Sequence, residues 1–477
     1  MRKTSYFLIV ATCLFLLISG SLHHFFAFTP QYPIVKLVDN WIVTYRNDQY
    51  INANLTHISD HIGPTLSKGD TLTLNLTSPL QMGDVPFPSI IFQCYHCAYE
   101  VYLDNTLIDE KNMDDTSGIK FLGIGYHTVN LPSDYNGKKL SIKLYITENN
   151  TSTDLLTPLL GNFDDLYRSI LHDVLFPGFT ALFLILFGFV FLIISIVFFM
   201  KSSGVSSQVI CSILSTVLGF WMLNFYDTID FYIAPAFSSF IEYSAMYLIV
   251  PLVFVLLYNQ HKRHNSNVII FLSYCSLGFA LLFITLHLLN IVHIHHFKTP
   301  CFLISVICLI VLAVYDYYDI RFNHKNSSRL ILMLGLTVLM LTLTIYSIFI
   351  FFKLYIGFRH TSFINMLVPL GSLFFVVAQL LNHFIFMTRM FAQRKEYASL
   401  TQIAYIDNLT EIPNRASCDK RLVELGEVNS DYCILSLDLN GLKEVNDNAG
   451  HPAGDRLLKS FAGALKDSAI MFALSRP

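Results

Sequence analysis

The distribution of hydrophobic and polar positions divides the chain into four stretches. Residues 1–28 carry two basic residues followed by an apolar run, which is the pattern of a signal peptide or a signal anchor. We expect an uncleaved anchor, because bulky rather than small residues follow the run. Residues 30–172 are far more polar, residues 175–387 contain long apolar runs, and residues 388–477 are polar again.

Short stretches in residues 30–172 alternate between apolar and polar positions, as in Tyr99–Leu103 and Leu140–Ile146. Turn-forming pairs such as Asp104-Asn105 separate them, and this combination predicts an antiparallel β-sandwich. The segment resembles the galactose-binding-like jelly rolls that precede many bacterial membrane sensors. That resemblance implies an exported ligand-binding domain, whose ligand is unknown, and a stalk or an interaction surface is an equal alternative.

Residues 175–387 contain seven apolar stretches that approach or exceed the length of a membrane-spanning helix, which needs about 20 residues. Basic residues concentrate in alternate loops, and this bias predicts that residues 30–172 lie outside and the C-terminus lies in the cytoplasm. We therefore expect a seven-helix bundle in a bacterial inner membrane. The stretches are Leu175–Met200, Val209–Phe225, Phe237–Tyr258, Val268–Ile291, Cys301–Tyr317, Leu330–Phe352 and Phe363–Phe386.

Composition supports a membrane protein in contact with lipid. Only 14% of the residues are charged, whereas soluble proteins carry about 25%. The formal net charge of −3 gives no basic excess, so nothing in the composition argues for a nucleic-acid partner. Cys94 and Cys97 have suggestive spacing, and we favour a local disulfide or two free thiols over a metal clip.

Two polar groups interrupt the apolar region. His293, His295 and His296 fall in a predicted outer loop, where they would bind a metal or sense acid; a solvated loop without a special role is the favoured alternative. Gln379 and Asn382 lie on the last apolar stretch, where we expect hydrogen bonds to neighbouring helices.

The cytoplasmic stretch contains three linked motifs. A predicted helix at 388–404 is followed by Asp407–Arg415 (DNLTEIPNR), then by Asp438–Asp447 (DLNGLKEVND) and Gly450–Asp455 (GHPAGD). In order and spacing these resemble the opening elements of the GGDEF family, so residues 405–477 are expected to form the first part of such an α/β domain. With the seven helices, this layout resembles bacterial seven-transmembrane receptors that carry diverse intracellular signalling modules.

The residue types suit nucleotide chemistry. Asp438 follows a predicted buried strand at 432–437 and would hold Mg²⁺, which prefers oxygen ligands. Lys443 would supply positive charge to a polyphosphate, and Asn446 and Asp455 carry the amide and carboxylate needed to read a guanine edge. The resemblance adds further roles: the Leu439 carbonyl as a second metal ligand, Lys443 as transition-state stabiliser, and His451 in the GTP pocket.

The family reaction condenses two GTP molecules into cyclic di-GMP, with one GTP on each subunit of a homodimer. The GG[DE]EF hairpin that supplies a second metal-binding acid does not occur in the 477 residues. We therefore expect a truncated and inactive cyclase domain. The alternatives are a non-catalytic membrane receptor and a transporter with a degenerate tail; the lack of an obvious inverted repeat argues against the transporter.

Overall fold

The computed structural model forms two compact units, residues 1–382 and residues 383–477, which are described separately. The predicted anchor at 1–28 lies outside the described residues except for its last position. The structure describes residues 28–117, 120–153, 157–199, 205–261, 266–322, 327–356, 362–427 and 433–474.

The first unit begins with a β region in which every strand pairing is antiparallel. One sheet has the order β1-β12-β6-β9, a second has the order β3-β2-β5-β10-β7-β8, and β11 pairs with β4. The strands are β1 (Val35–Lys36), β2 (Trp41–Tyr45), β3 (Asp48–Ala53), β4 (Thr65–Leu66), β5 (Thr71–Leu76), β6 (Pro88–Tyr95), β7 (Cys97–Leu103), β8 (Thr106–Lys111), β9 (Ile124–Asn130), β10 (Leu140–Ile146), β11 (Thr151–Ser152) and β12 (Leu159–Asn162).

The two large sheets share one hydrophobic core. Alternate residues of β5 and β10 are buried, because successive side chains of a strand point to opposite faces. Across the core, the rings of Phe92 and Tyr99 meet edge to face with centroids 5.1 Å apart. Trp41 is fully buried, and its indole Nε1 donates a 3.0 Å hydrogen bond to the Leu37 carbonyl. Burying a large apolar side chain of this kind contributes roughly 1.5–3 kcal/mol.

The turn predicted at Asp104-Asn105 is confirmed between β7 and β8. Both residues have positive φ, 45° and 69°, as a two-residue type I′ hairpin loop requires. Asp and Asn tolerate this conformation better than other non-glycine residues. Asp104 Oδ1 also accepts a 2.9 Å hydrogen bond from the Lys139 backbone N–H, which ties the turn to the start of β10.

A short amphipathic helix, α2 (Phe163–Asp173), connects the β region to the apolar helices. The Asn162 side chain caps it by accepting hydrogen bonds from the backbone N–H groups of Asp164 and Asp165. The buried face of α2 packs Leu166 and Ile170 against the outer face of the β6 sheet. The earlier four-residue helix α1 (Ser59–Ile62) lies within the β region.

Seven helices in the described residues are long and apolar enough to cross a membrane. Each coincides with one of the predicted stretches, usually with a few more residues at the ends. They share a buried core of aliphatic and aromatic side chains. The helices are α3 (Leu175–Phe199), α4 (Val205–Phe225), α5 (Pro235–Gln260), α6 (Ser266–Leu288), α7 (Lys298–Phe322), α8 (Ser327–Ile356) and α9 (Ser362–Tyr405).

The hydrogen bonds expected from the last apolar stretch are confirmed. Ser215 on α4 donates a 2.9 Å hydrogen bond to Gln379 Oε1 on α9. Ser328 on α8 likewise donates to the Asn382 side-chain oxygen. Because a polar group in an apolar bundle is costly without a partner, these contacts fix α9 against α4 and α8.

In the second unit, the predicted helix at 388–404 is the end of α9, without a helical break after the last apolar stretch. The remaining helices are α10 (Arg415–Glu427), α11 (Leu442–Ala449) and α12 (His451–Leu474). The strand predicted at 432–437 is wrong over the described positions 433–437, which form no strand pairing. A strand needs a hydrogen-bonded neighbour, and these residues have none among those described. Ile434, Leu435 and Leu437 are consequently exposed.

Candidate functional site

The first motif of the second unit closes a compact loop between α9 and α10. Asp407 Oδ1 accepts hydrogen bonds from the backbone N–H groups of Leu409 and Thr410 and from the Thr410 hydroxyl, at 2.8–3.1 Å. These bonds lower the pKa of Asp407, the Thr410 hydroxyl contributing most. Asn414 Nδ2 donates to the Ala404 carbonyl at 3.0 Å, and its Oδ1 caps α10 through Ser417. The motif therefore joins the end of α9 to the start of α10.

The second motif leads into α11. Gly441 caps this helix with φ of 82°, a left-handed conformation that glycine adopts without a steric penalty. Asp438 Oδ1 accepts a 3.0 Å hydrogen bond from the Leu439 backbone N–H. The side chains of Asp438 and Lys443 are both exposed, so each is accessible to a ligand from solvent.

The third motif forms the tight connection from α11 to α12. The Gly450 backbone N–H donates to the Asn446 carbonyl at 2.9 Å, and Gly450 has φ of 78°. Gly454 is buried, and a Cβ there would collide with the Asn446 amide. The glycine thus lets the side chain of Asn446 pack directly against the first turn of α12, next to Asp455.

The structure brings together only part of the predicted site. Asn446 lies against the first turn of α12, which contains Asp455. In the described part of the chain, no hydrogen bond or ion pair joins any two of the other predicted residues to each other or to Asp455; these are Asp438, Lys443 and His451. For Mg²⁺, the Asp438 carboxylate and the Leu439 carbonyl are oxygen donors of the kind this ion prefers. This donor set fits Mg²⁺ chemically and contributes one negative charge.

A second polar cluster lies in the first unit, where the sequence favoured a solvated loop. That expectation is wrong: His293 and His295 are buried. They pack with His296 against Glu148, a buried residue of the β region that the sequence did not single out. Burial alone would raise the pKa of Glu148, but hydrogen bonds from His293 and His296 hold that pKa at about 2. The sequence around Glu148 does not indicate that its carboxylate meets histidines, because the histidine loop lies more than 100 positions away along the chain.

Cys94 and Cys97 are adjacent across the β6–β7 turn. Their sulfur atoms are 2.6 Å apart and both residues are buried. This close approach suits either a local disulfide or a pair of thiols, and burial raises the pKa of the Cys94 thiol well above its usual value. His96, between them, carries a buried Nδ1 without a hydrogen-bond partner.

Comparison with known families confirms the resemblance of the motifs in the second unit. Residues 404–471 match the family described as "Diguanylate cyclase, GGDEF domain". The match covers the loop after α9, α10, α11 and most of α12. It does not extend to the β region or to the apolar helices.

Curated relatives match over a stretch of similar length. An uncharacterised protein in the hutH 5′ region of Streptomyces griseus is 44% identical over 78 residues, covering 16% of this chain and 32% of that protein. The probable diguanylate cyclase DgcE of Escherichia coli is 42% identical over 76 residues, covering 15% and 7%. The diguanylate cyclase TpbB of Pseudomonas aeruginosa is 37% identical over 84 residues, covering 16% and 19%. The matched segment thus spans a third or less of these relatives, and no solved structure matches the chain.

Proposed function

We propose that this chain is a membrane sensor of the diguanylate cyclase type, in which an exported β region and seven membrane helices control a GTP-binding cytoplasmic segment. The observation that carries the proposal is the continuity of α9. This helix contains the last apolar stretch and ends at Tyr405, immediately before the segment that matches the GGDEF family. A continuous helix transmits rotation or displacement from a membrane bundle to whatever follows it.

The proposed organisation follows the sequence boundaries. Residues 1–28 are a signal anchor or signal peptide, 30–172 an exported jelly-roll-like domain, 175–387 the transmembrane bundle, 388–404 a signalling helix and 405–477 GGDEF-type sequence. Basic residues at the ends of α7 and α8, such as Arg321 and Arg329, support placing those ends in the cytoplasm of a bacterial inner membrane. The β region then faces outward to an unidentified ligand.

In the proposed nucleotide site, Asn446 and Asp455 bind the guanine edge and His451 lines the same pocket. Lys443 holds the phosphates in place and, in a complete domain of this family, would neutralise their charge as it develops in the transition state. Asp438 and the Leu439 carbonyl hold Mg²⁺, which when bound neutralises phosphate charge. The packing of Asn446 on Gly454 supports the first of these roles, since it sets the amide next to Asp455.

Residues 1–477 contain no GG[DE]EF sequence. We propose that these residues bind GTP without producing cyclic di-GMP, because the family reaction uses a homodimer with two complete sites and a second metal-binding acid. The non-catalytic receptor remains the alternative, in which this segment contacts a partner through exposed apolar positions such as Leu435.

The test is binding of a fluorescent GTP analogue with Mg²⁺ to the purified 477-residue protein in lipid nanodiscs. Binding that GTP but not ATP displaces is expected, and Asp455→Ala should weaken it about 10-fold or more, as loss of a hydrogen bond to a charged group implies. Lys459→Ala on the exposed side of α12 is the matched control. If GTP binds no better than ATP, or if D455A and K459A bind alike, the nucleotide site is wrong and the receptor alternative stands.

A further inference from the structure

We propose that Glu148, His295 and His296 bind a divalent transition-metal ion of the Zn²⁺ type at the junction between the β region and the helix bundle. His295 Nε2 and His296 Nε2 lie 3.9 Å and 3.6 Å from Glu148 Oε2. The three candidate ligand atoms all lie within 4.8 Å of one another. The site is separate from the cytoplasmic segment, and the inference does not depend on GTP binding.

The spacing of these atoms fits a tetrahedral ion. Zn²⁺ bonds of about 2.0–2.1 Å to nitrogen and oxygen place neighbouring ligand atoms about 3.3–3.4 Å apart in a tetrahedron. The observed separations of 3.6 Å and 3.9 Å exceed this by only a few tenths of an ångström. Small side-chain movements therefore close these two separations, and the two histidine nitrogens lie within 4.8 Å of each other. Three protein ligands leave a fourth position for water, as in sites that exchange their ligands.

His295 is the residue that most needs a partner. Its side chain is 6% exposed, and neither ring nitrogen has a hydrogen-bond partner. A buried polar group left without a partner costs about 1–3 kcal/mol, and a metal ion that accepts the Nε2 lone pair removes this cost. The ring is held between neighbours, with its centroid 4.5 Å from that of His96 and 5.8 Å from that of Phe121. The imidazole thus has a fixed orientation before any ion binds.

Glu148 supplies a charge that lacks a fixed cation. The residue is 4% exposed, and its ion pairs in the described residues are with histidines alone. Lys298, which lies close by in sequence, places its Nζ over the ring of Tyr243 instead. An isolated buried carboxylate is costly. A divalent cation balances its charge and binds the two histidines at the same time.

His293 acts as a positioning residue. Its Nδ1 contacts the other carboxylate oxygen, Glu148 Oε1, which leaves Oε2 directed at His295 and His296. Hydrogen bonds of this kind commonly orient the ligands of metal sites. The backbone around the site is also fixed. The Thr151 hydroxyl donates to the Glu148 carbonyl at 2.9 Å, and the Tyr247 hydroxyl donates to the Ile294 carbonyl at 2.7 Å.

The donor set selects the class of ion. Two imidazole nitrogens and one carboxylate suit Zn²⁺ and its transition-metal neighbours, whereas Mg²⁺ and Ca²⁺ prefer oxygen ligands alone. Glu148 follows β10, while the histidines belong to the short 3₁₀ segment Ile294–Phe297 between α6 and α7. A bound ion therefore joins the β region to the membrane helices.

The inference is tested by titrating metal-free, full-length protein in nanodiscs with ZnCl₂, followed by calorimetry and elemental analysis. We expect one Zn²⁺ per chain and no competition by Mg²⁺. His296→Ala removes the partly exposed ligand with little effect on packing, and Glu148→Gln preserves the shape of the carboxylate. Each should weaken Zn²⁺ binding about 10-fold or more. His61→Ala, which removes an exposed histidine far along the chain, should leave the affinity unchanged.

A second pair of variants identifies the ligands. Cys94→Ser and Cys97→Ser alter the thiol pair on either side of His96 and are expected to retain Zn²⁺ binding. Loss of binding in these variants, with H296A unchanged, would assign the ion to the thiols and overturn the proposed site. Absence of saturable Zn²⁺ binding to the unmodified protein would overturn it equally. Thermal unfolding of E148Q is measured without metal as a control. If this variant unfolds at the same temperature as the metal-free wild type, its weaker Zn²⁺ binding is due to the lost ligand and not to misfolding.

Discussion

The Gln93 side-chain amide donates a 2.8 Å hydrogen bond to Asp227 Oδ2. This bond joins β6 of the β region to the loop between α4 and α5. A second bond, from the Ile124 backbone N–H to the Ser239 hydroxyl at 2.9 Å, joins β9 to α5. The β region is thus attached to the bundle by specific polar contacts in addition to the covalent connection through α2.

Acid should strengthen this junction. Burial raises the pKa of Asp230 to about 6, above its usual value of 3.8, and raises the pKa of the neighbouring Asp227 further. The folded state therefore binds more protons than the unfolded state between about pH 4 and 6, and the stabilisation is lost as the pH rises through this range. Thermal unfolding of the wild type and Asp230→Asn between pH 5 and 7.5 measures the effect.

The amide variant cannot ionise, so the comparison reports the titration of the Asp227–Asp230 pair, whose two carboxyl groups interact. Ser238 donates a 2.9 Å hydrogen bond to Asp230 Oδ1, which the Asn side-chain oxygen can also accept. We expect the wild type to lose stability relative to D230N as the pH rises from 5 to 7. A difference in Tm that stays constant across this range contradicts the prediction.

Glycine at position 123 is required by the close approach of the β region to α5. Gly123 has φ of 75°, and a Cβ there would collide with the Pro235 carbonyl. Gly123→Ala should therefore destabilise the first unit by about 2 kcal/mol or more, from backbone strain and overpacking together. The measurement is thermal unfolding, with limited proteolysis at the junction.

Gly137 is the matched control for this substitution. It also has positive φ, 86°, but a Cβ there meets nothing within 4 Å. Gly137→Ala thus carries the backbone strain without the collision, and it should cost clearly less stability than G123A. Equal losses in the two variants would show that the contact with Pro235 contributes nothing.

A cluster of ion-paired side chains lies at the end of the helix bundle that is opposite its contacts with the β region. Asp319 accepts a hydrogen bond from Arg329 at 2.8 Å and contacts His261 Nε2 at 2.9 Å. Asp319→Ala removes the carboxylate partner of the buried His261 and of the mostly covered Arg329, and it should cost about 3–5 kcal/mol. Asp134→Ala breaks the exposed pair with Lys138 and should leave the Tm nearly unchanged. Unfolding of both variants in the same detergent tests this; similar Tm values would contradict it.

The proposed guanine site should be sensitive to a substitution that does not touch the ligand. Gly454→Ala places a methyl group against the Asn446 amide, and displacing that amide should weaken GTP binding about 10-fold or more. Gly463→Ala, on the same helix with nothing within 4 Å of its Cβ, should bind GTP normally. If the two variants bind GTP with equal affinity, Asn446 takes no part in nucleotide binding.

Local pattern predicted most elements of this protein. Alternation predicted β10 at Leu140–Ile146, Asp104-Asn105 predicted the hairpin turn, and apolar length predicted the seven helices. These predictions are confirmed because the alternation of side chains along a strand and the length of a membrane-spanning helix are properties of contiguous residues. The strand predicted at 432–437 failed because pairing depends on a neighbouring strand, which a local pattern does not supply.

The sequence by itself determined the first motif of the second unit, because the side chains of Asp407 and Asn414 form hydrogen bonds to backbone groups no more than ten positions away. Only the tertiary structure placed Glu148 beside His295 and Gln93 beside Asp227. Those pairs are separated by more than 100 positions, and no periodicity links them. Their contact arises because the sheets and the apolar helices each have a core of their own, and the docking of the two decides which polar side chains are buried together.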